Sequence, residues 1–166
     1  MSYTPGGLHE PADESAFDST SAEELPVEAN NIDKYMASRP AEPPIAVRRE
    51  AELVQRYTAW LTNRGQASVR HRIPIPGGGG YLYTDLFNKS TNEILEAKGS
   101  SARIYIRAGL GQILDYSRYV QHDGRALLVP TEPAADLIEL LQAYGVQAVW
   151  QDRAGFRRSD EAAADA

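Results

Sequence analysis

"YLYTDLFNKSTNEILEAKGSS", residues 81–101, is the stretch on which the fold turns. Polar and apolar residues alternate on both sides of "NKST", the pattern of two strands joined by a short turn. With the turn centred on Ser90 and Thr91, the antiparallel partners are Asp85 with Glu96 and Tyr83 with Lys98. Strand side chains alternate between faces, so Asp85, Glu96 and Lys98 are expected together on one face. Leu82, Thr84, Leu86, Leu95 and Ala97 are expected on the other. The second set is apolar enough to pack on a helix. The first sets two carboxylates side by side, which is destabilising unless one takes up a proton or a cation is shared. Such hard oxygen ligands suit magnesium or manganese better than zinc. The plainer alternative is a Glu96–Lys98 ion pair at a sheet edge, worth about 0–1 kcal/mol.

Upstream, "AVRREAELVQRYTAWLTNRG" (46–65) places Leu53, Val54, Tyr57, Trp60 and Leu61 on one helical stripe, with Gly65 as C-terminal cap. Glu50 falls at the edge of that stripe and Glu52 away from it. A solvated carboxylate favoured by the helix dipole is the alternative for Glu50. "SVRHRIPIP" (68–76) alternates as a strand, and glycines 77–80 connect it to the strand at 81–87. No Gly-Lys-Ser or Gly-Lys-Thr follows these glycines, which excludes a phosphate-binding loop.

Downstream of the strand "NEILEAKG" (92–99), "SSARIYIRAGLGQILDYSRYV" (100–120) reads as a helix capped by Ser100 or Ser101. Gly109 and Gly111 within it each cost about 1 kcal/mol relative to alanine, which a close approach of another backbone would explain. "RALLVP" (125–130) is a short apolar strand. "TEPAADLIELLQAYG" (131–145) is a helix with Pro133 near its first turn, a stripe of Leu137, Leu140, Leu141 and Tyr144, and a stop at Gly145. "VQAVW" (146–150) is the last strand. The order αβββαβαβ implies an α/β fold with a central mixed β-sheet flanked by helices.

Composition sets the limits around this core. Residues 1–44 hold nine acidic and two basic side chains and end in "PAEPP", and read as a disordered acidic tail. The folded domain is expected over 45–157, with 158–166 a disordered C-terminal end. Residues 45–159 hold fifteen basic and eleven acidic side chains, a net +4 hidden by the overall −6 and compatible with a polyanionic partner. The absence of cysteine excludes disulfides, thiolate zinc sites and cysteine nucleophiles, and fits a cytoplasmic setting. No apolar run approaches eighteen residues, so no membrane partner is expected. His71 and His122 lack ligand-like spacing and read as surface residues.

Taken together, Asp85, an eleven-residue step to Glu96-Ala97-Lys98, a preceding helix bearing Glu50 and a following helix bearing Gln112 and Tyr116 resemble the PD-(D/E)xK nuclease superfamily. The Gln112/Tyr116 pair in "GQILDY" looks like the QxxxY motif of its RecB-like branch. The resemblance spans about residues 46–151 and is similar to nuclease modules of restriction-like proteins from actinobacteria. Thr84 stands where the family name places a proline. The resemblance implies a restriction-endonuclease-like core that hydrolyses DNA with Mg2+ or Mn2+, in restriction, phage defence or repair, with RNA not excluded. It implies that Asp85, Glu96, the Ala97 carbonyl and Glu50 hold metal, with Glu52 as the alternative helix glutamate. Lys98 would orient or deprotonate the attacking water. Gln112 and Tyr116 would support the site, and Arg103, Arg107 and Gln112 would contact nucleic acid. Partners beyond DNA are a recognition subunit or a homodimer mate. A nuclease-like module that binds without cutting is the rival reading.

Overall fold

The computed structural model describes residues 22–27 and 44–162. It is α/β, with one mixed eight-stranded sheet between helices. In chain order the elements are β1 (Glu23–Leu25), α1 (Pro44–Asn63), β2 (Ser68–Pro74), β3 (Tyr81–Tyr83), β4 (Leu86–Asn88) and β5 (Glu93–Ala97). They continue with α2 (Arg103–Tyr116), β6 (Gly124–Val129), α3 (Ala135–Ala143), β7 (Gln147–Asp152), β8 (Gly155–Arg158) and α4 (Ser159–Ala162). The strands lie in the order β1-β2-β4-β5-β6-β7-β8, with β3 paired to β2 beside β4. β5, β6 and β7 are parallel and every other pairing is antiparallel.

The apolar alternation read from the sequence is what builds the layers. On one face Leu53, Val54, Tyr57 and Leu61 of α1 pack on Leu86, Leu95, Ala97, Ala126, Leu128 and Val149. On the other, Ile106, Leu110 and Ile113 of α2 and Leu137 and Leu141 of α3 cover Phe87, Ile94, Leu127, Val129, Ala148 and Trp150. Both faces of β5 and β6 are therefore covered, so Ile94, Leu95, Ala97, Ala126, Leu127, Leu128 and Val129 are all buried, and the two glutamates of β5 are buried with them. Gly65 (φ 73°) and Gly145 (φ 65°) adopt the left-handed conformation that closes α1 and α3.

Several expectations need correction. Part of the expected disordered tail is ordered: Glu23–Leu25 pairs antiparallel with Arg70–Arg72, and Val27 is buried against α1. Ion pairs Glu23–Arg72 and Glu24–Lys89 hold that strand on the more basic domain, a complementarity that composition alone does not locate. The remainder of the tail, like residues 163–166, lies outside the described residues. At the other end, Arg158 and Ser159 are built into the fold, because Arg158 meets Glu93 and the Ser159 hydroxyl accepts the Ala148 N–H. Helix α2 begins after Ala102 with no side-chain cap; Ser101 Oγ instead donates to the Thr131 carbonyl, 2.7 Å away. Tyr144 is exposed because α3 has ended before it.

Gly109 and Gly111 separate cleanly. A Cβ at Gly109 would overlap Leu127 Cδ1 and lie 3.1 Å from Lys98 Cγ, whereas one at Gly111 would meet nothing within 4 Å. The close neighbours of Gly109 are side chains of the sheet, so this glycine lets α2 sit directly on β5 and β6. We expect Gly109→Ala to lower stability by about 1–3 kcal/mol through overpacking, and Gly111→Ala to raise it by up to about 1 kcal/mol. Urea denaturation of the two variants checks this; equal effects of one sign would refute the packing account.

Candidate functional site

The site begins with a miscount between strands. From Val69↔Phe87 to Arg72↔Tyr83, β2 advances three residues while its partner strand steps back four. Thr84 and Asp85 thus form a β-bulge opposite His71, splitting the expected strand 81–87 into β3 and β4. The bulge is pinned on both sides, as the Thr84 N–H donates to the His71 carbonyl (3.1 Å) and the His71 N–H to Thr84 Oγ1 (2.8 Å). It also reverses the alternation. Leu86 packs toward α1 as expected, but Leu82 packs with the α2 side, and Tyr83 lies opposite Arg72 instead of Lys98.

The register of the following hairpin is the one expected, with Leu86↔Leu95, Phe87↔Ile94 and Asn88↔Glu93. One further pair would set Asp85 against Glu96, and two would set Thr84 against Ala97. Because the bulge turns Thr84 to β2, the Ala97 N–H is left without a backbone partner there and donates instead to Asp85 Oδ2 at 2.9 Å. On the opposite edge of β5, the Lys98 N–H donates to the Leu128 carbonyl.

Beyond Ala97 three buried charges meet. Lys98 Nζ lies 3.0 Å from Glu96 Oε1 and 3.6 Å from Glu50 Oε1, and both Lys98 and Glu96 are fully buried. Glu50 reaches this point from the first turns of α1 and also accepts the Gly99 N–H at 3.3 Å. Gly99 allows that approach, since a Cβ there would lie 2.9 Å from the Ala46 carbonyl oxygen and 3.2 Å from Arg49 Cβ. Glu52 is exposed on another side of α1, so Glu50 is the helix glutamate that faces β5.

Helix α2 closes the other side. Gly109 lies over the Lys98 side chain, and Gln112 and Tyr116 follow on the same helical stripe. Gln112 is half-buried, and its Oε1 is enclosed without a hydrogen bond. Tyr116 is buried in the core under α2. The two arginines expected on phosphates differ: Arg103 pairs with Asp136 at the start of α3, while Arg107 is exposed. Glu50, Glu96 and Lys98 lie at the carboxyl end of β5, where open α/β sheets form their ligand crevices, whereas Tyr116, the last residue of α2, is carried back toward the amino ends of β5 and β6. Among the described residues, no three or more Asp, Glu, His or Cys side chains are gathered closely enough to hold a metal ion.

His71 and His122, expected at the surface, are buried and half-buried instead. His71, on β2, is buried with its ring edge-on to Phe87. His122 is half-buried and its Nδ1 lies 2.7 Å from the Val120 carbonyl. At the far end of β5, Arg158 grips both carboxylate oxygens of Glu93 at 2.7 and 2.9 Å. Burial opposes that guanidinium's charge, but the bonds to Glu93 outweigh it and raise its pKa above the ordinary value. Burial, assisted by the Glu93 carboxylate, pushes the nearby Tyr57 phenol up to about 12. No signal in the sequence links positions 93 and 158. No family model matches the chain, and no curated protein or solved structure matches it.

Two outcomes follow from this geometry. Lys98→Met leaves two carboxylates buried beside an apolar side chain, and should cost about 3–5 kcal/mol in chemical denaturation. The Glu50→Gln/Glu96→Gln/Lys98→Met triple variant should recover most of that loss; a single variant as stable as wild type would show that the three charges are not coupled. Burial lowers the His71 pKa, opposed by Glu24 and assisted by Lys89. A depressed folded-state pKa gives stability that is present above the unfolded value, about 6.5, and lost as pH falls below it. Wild type should therefore lose stability more steeply than His71→Gln between pH 7 and pH 5, and parallel curves would refute this.

Proposed function

We propose that this chain is a metal-dependent nuclease that hydrolyses DNA phosphodiesters on a restriction-endonuclease-like core of the PD-(D/E)xK type. The observation that carries the reading is the β-bulge that turns Asp85 onto the Ala97 amide, at the strand end where Glu96, Lys98 and Glu50 converge. Stability gives little reason for such an arrangement, since buried ion pairs are often matched or bettered by apolar residues of similar size. The enclosed Gln112 oxygen, on the helix above Lys98, is a further polar group whose burial without a hydrogen bond is costly.

The donor set fits a hard divalent cation. Asp85 and Glu96 are carboxylates flanking Ala97, and in a strand the Ala97 carbonyl shares an edge with its N–H, the edge that Asp85 occupies. Magnesium usually takes only one or two carboxylates and completes its shell with water and substrate phosphate, so a cluster of three acids is not required. When bound, such an ion supplies Lewis-acid stabilisation of the phosphoryl oxygens and a more acidic water. Lys98 holds the Glu96 and Glu50 carboxylates together by its charge, and in the working enzyme would orient the attacking water. Glu50 ties α1 to the Gly99 amide and so fixes the mouth of the site. Gln112 would offer its amide to a substrate phosphate, while Tyr116 braces α2 from the core.

Complete burial of Glu96 and Lys98 favours one other reading, a nuclease-like module whose charges serve only the fold. Cleavage of plasmid, linear and single-stranded DNA, and of RNA, with and without Mg2+ or Mn2+, separates the two. Asp85→Asn keeps an acceptor for the Ala97 N–H and should remain folded, yet should lose at least about a hundredfold in cleavage rate. Lys98→Arg tests the lysine without removing its charge. Metal-dependent cleavage that is equal in all three proteins, or absent from all, would overturn the nuclease reading.

A further inference from the structure

Beyond His71, which pins the bulge, the β2–β3 hairpin reaches past the site. β2 runs antiparallel to β4, so its second half and β3 extend past Leu86 and Asp85, beyond the site end of the sheet. Positive φ at Gly77, Gly78 and Gly80 turns the chain back at its tip. Along one face of this arm, arginine and tyrosine alternate across the strands: Arg70 lies 5.2 Å over the Tyr83 ring and Arg72 4.8 Å over the Tyr81 ring. The two tyrosine rings stand 6.5 Å apart, and Tyr81 is exposed. Guanidinium charge interleaved with aromatic faces is the chemistry that takes phosphate and stacked bases together.

A carboxylate already sits on this surface. Glu23 of β1 pairs with Arg72, on the arginine that stacks over Tyr81. Its neighbour Glu24 points to the opposite face, where it meets Lys89 at 2.7 Å. Both of these ion pairs are solvent-exposed, so the Glu23–Arg72 contact is itself weak and can be exchanged while the backbone pairing of β1 and the buried Val27 keep the strand in place.

We infer that the Arg72/Tyr81/Tyr83 face of the β2–β3 arm, braced by the buried Arg70 behind the Tyr83 ring, binds the nucleic-acid strand next to the cutting site, and that Glu23 occupies it as a mimic of a phosphate. The inference rests on the nuclease reading for the class of partner. Nucleic acid and β1 compete for Arg72. Binding therefore requires loss of the Glu23 contact, and the acidic strand lowers affinity for weak or improper substrates.

The test is binding, measured by fluorescence anisotropy with labelled 20-nucleotide single-stranded and duplex DNA in the presence of a chelator. Glu23→Gln and Glu24→Gln remove the same charge from the same strand, and both keep its backbone pairing. Glu23→Gln should tighten binding by up to about fivefold and steepen its salt dependence by roughly one phosphate contact. Glu24→Gln should do neither. Tyr81→Ala in the Glu23→Gln background should weaken binding at least about fivefold. Equal effects of the two glutamine variants, or no binding by any protein, would overturn the inference. If Glu23→Gln alone tightens binding but wild type cleaves nothing with Mg2+ or Mn2+, the nuclease reading falls while the binding face stands. Metal-dependent cleavage with no difference in binding between the two glutamine variants would remove the binding face and leave the nuclease reading intact.

Discussion

One extra residue in the strand facing β2 organises everything at the site end of this sheet. A regular ladder would have passed Thr84 and Asp85 down alternate faces and paired Ala97 with a backbone carbonyl. The bulge instead commits Thr84 to His71, frees the edge of β5, and puts a carboxylate where a carbonyl would be. It also reverses the inward and outward sets on β3, which is why Leu82 packs, partly buried, against the core on the α2 side and Tyr81 and Tyr83 are stacked against arginines. Bulges beside functional sites commonly redirect a side chain in this way.

The charges gathered there are a liability that the fold contains by geometry. Two carboxylates and an ammonium withdrawn from water lose solvation that their mutual attraction scarcely restores. Close packing supports the arrangement: Gly109 admits the lysine stem under α2, and Gly99 admits the start of α1, so that Glu50 can reach both an ammonium and a backbone amide. Each glycine is needed because of what touches it. Gly111, with nothing near it, has no such role.

Much of this was readable from residue order. The hairpin register at 86–95 follows from apolar alternation and the turn at Ser90–Thr91, and the three main helices follow from their stripes. Glu50 over Glu52 follows from the phase of one helix. The bulge was not legible, since a strand with one additional residue has the same local composition as one without. Its consequences were lost with it, namely the partner of Tyr83 and the face of Leu82. Long-range ion pairs were equally hidden. Glu23, Arg103 and Arg158 each look like an ordinary solvated charge until the fold supplies Arg72, Asp136 and Glu93.

The bidentate Glu93–Arg158 contact has a consequence for the whole chain. β5 is five residues long, with Glu93 fastened to the last strand at one end and Glu96 fastened through Lys98 to the first long helix at the other. Sliding this strand by one position would sever both attachments and invert its inward face, so its register is locked from two directions. The central strand thus serves as a fixed datum from which the periphery is hung. The glycine-rich tip at 77–80 could lengthen over evolution, or accept an inserted peptide in the laboratory, without displacing the carboxylates from one another.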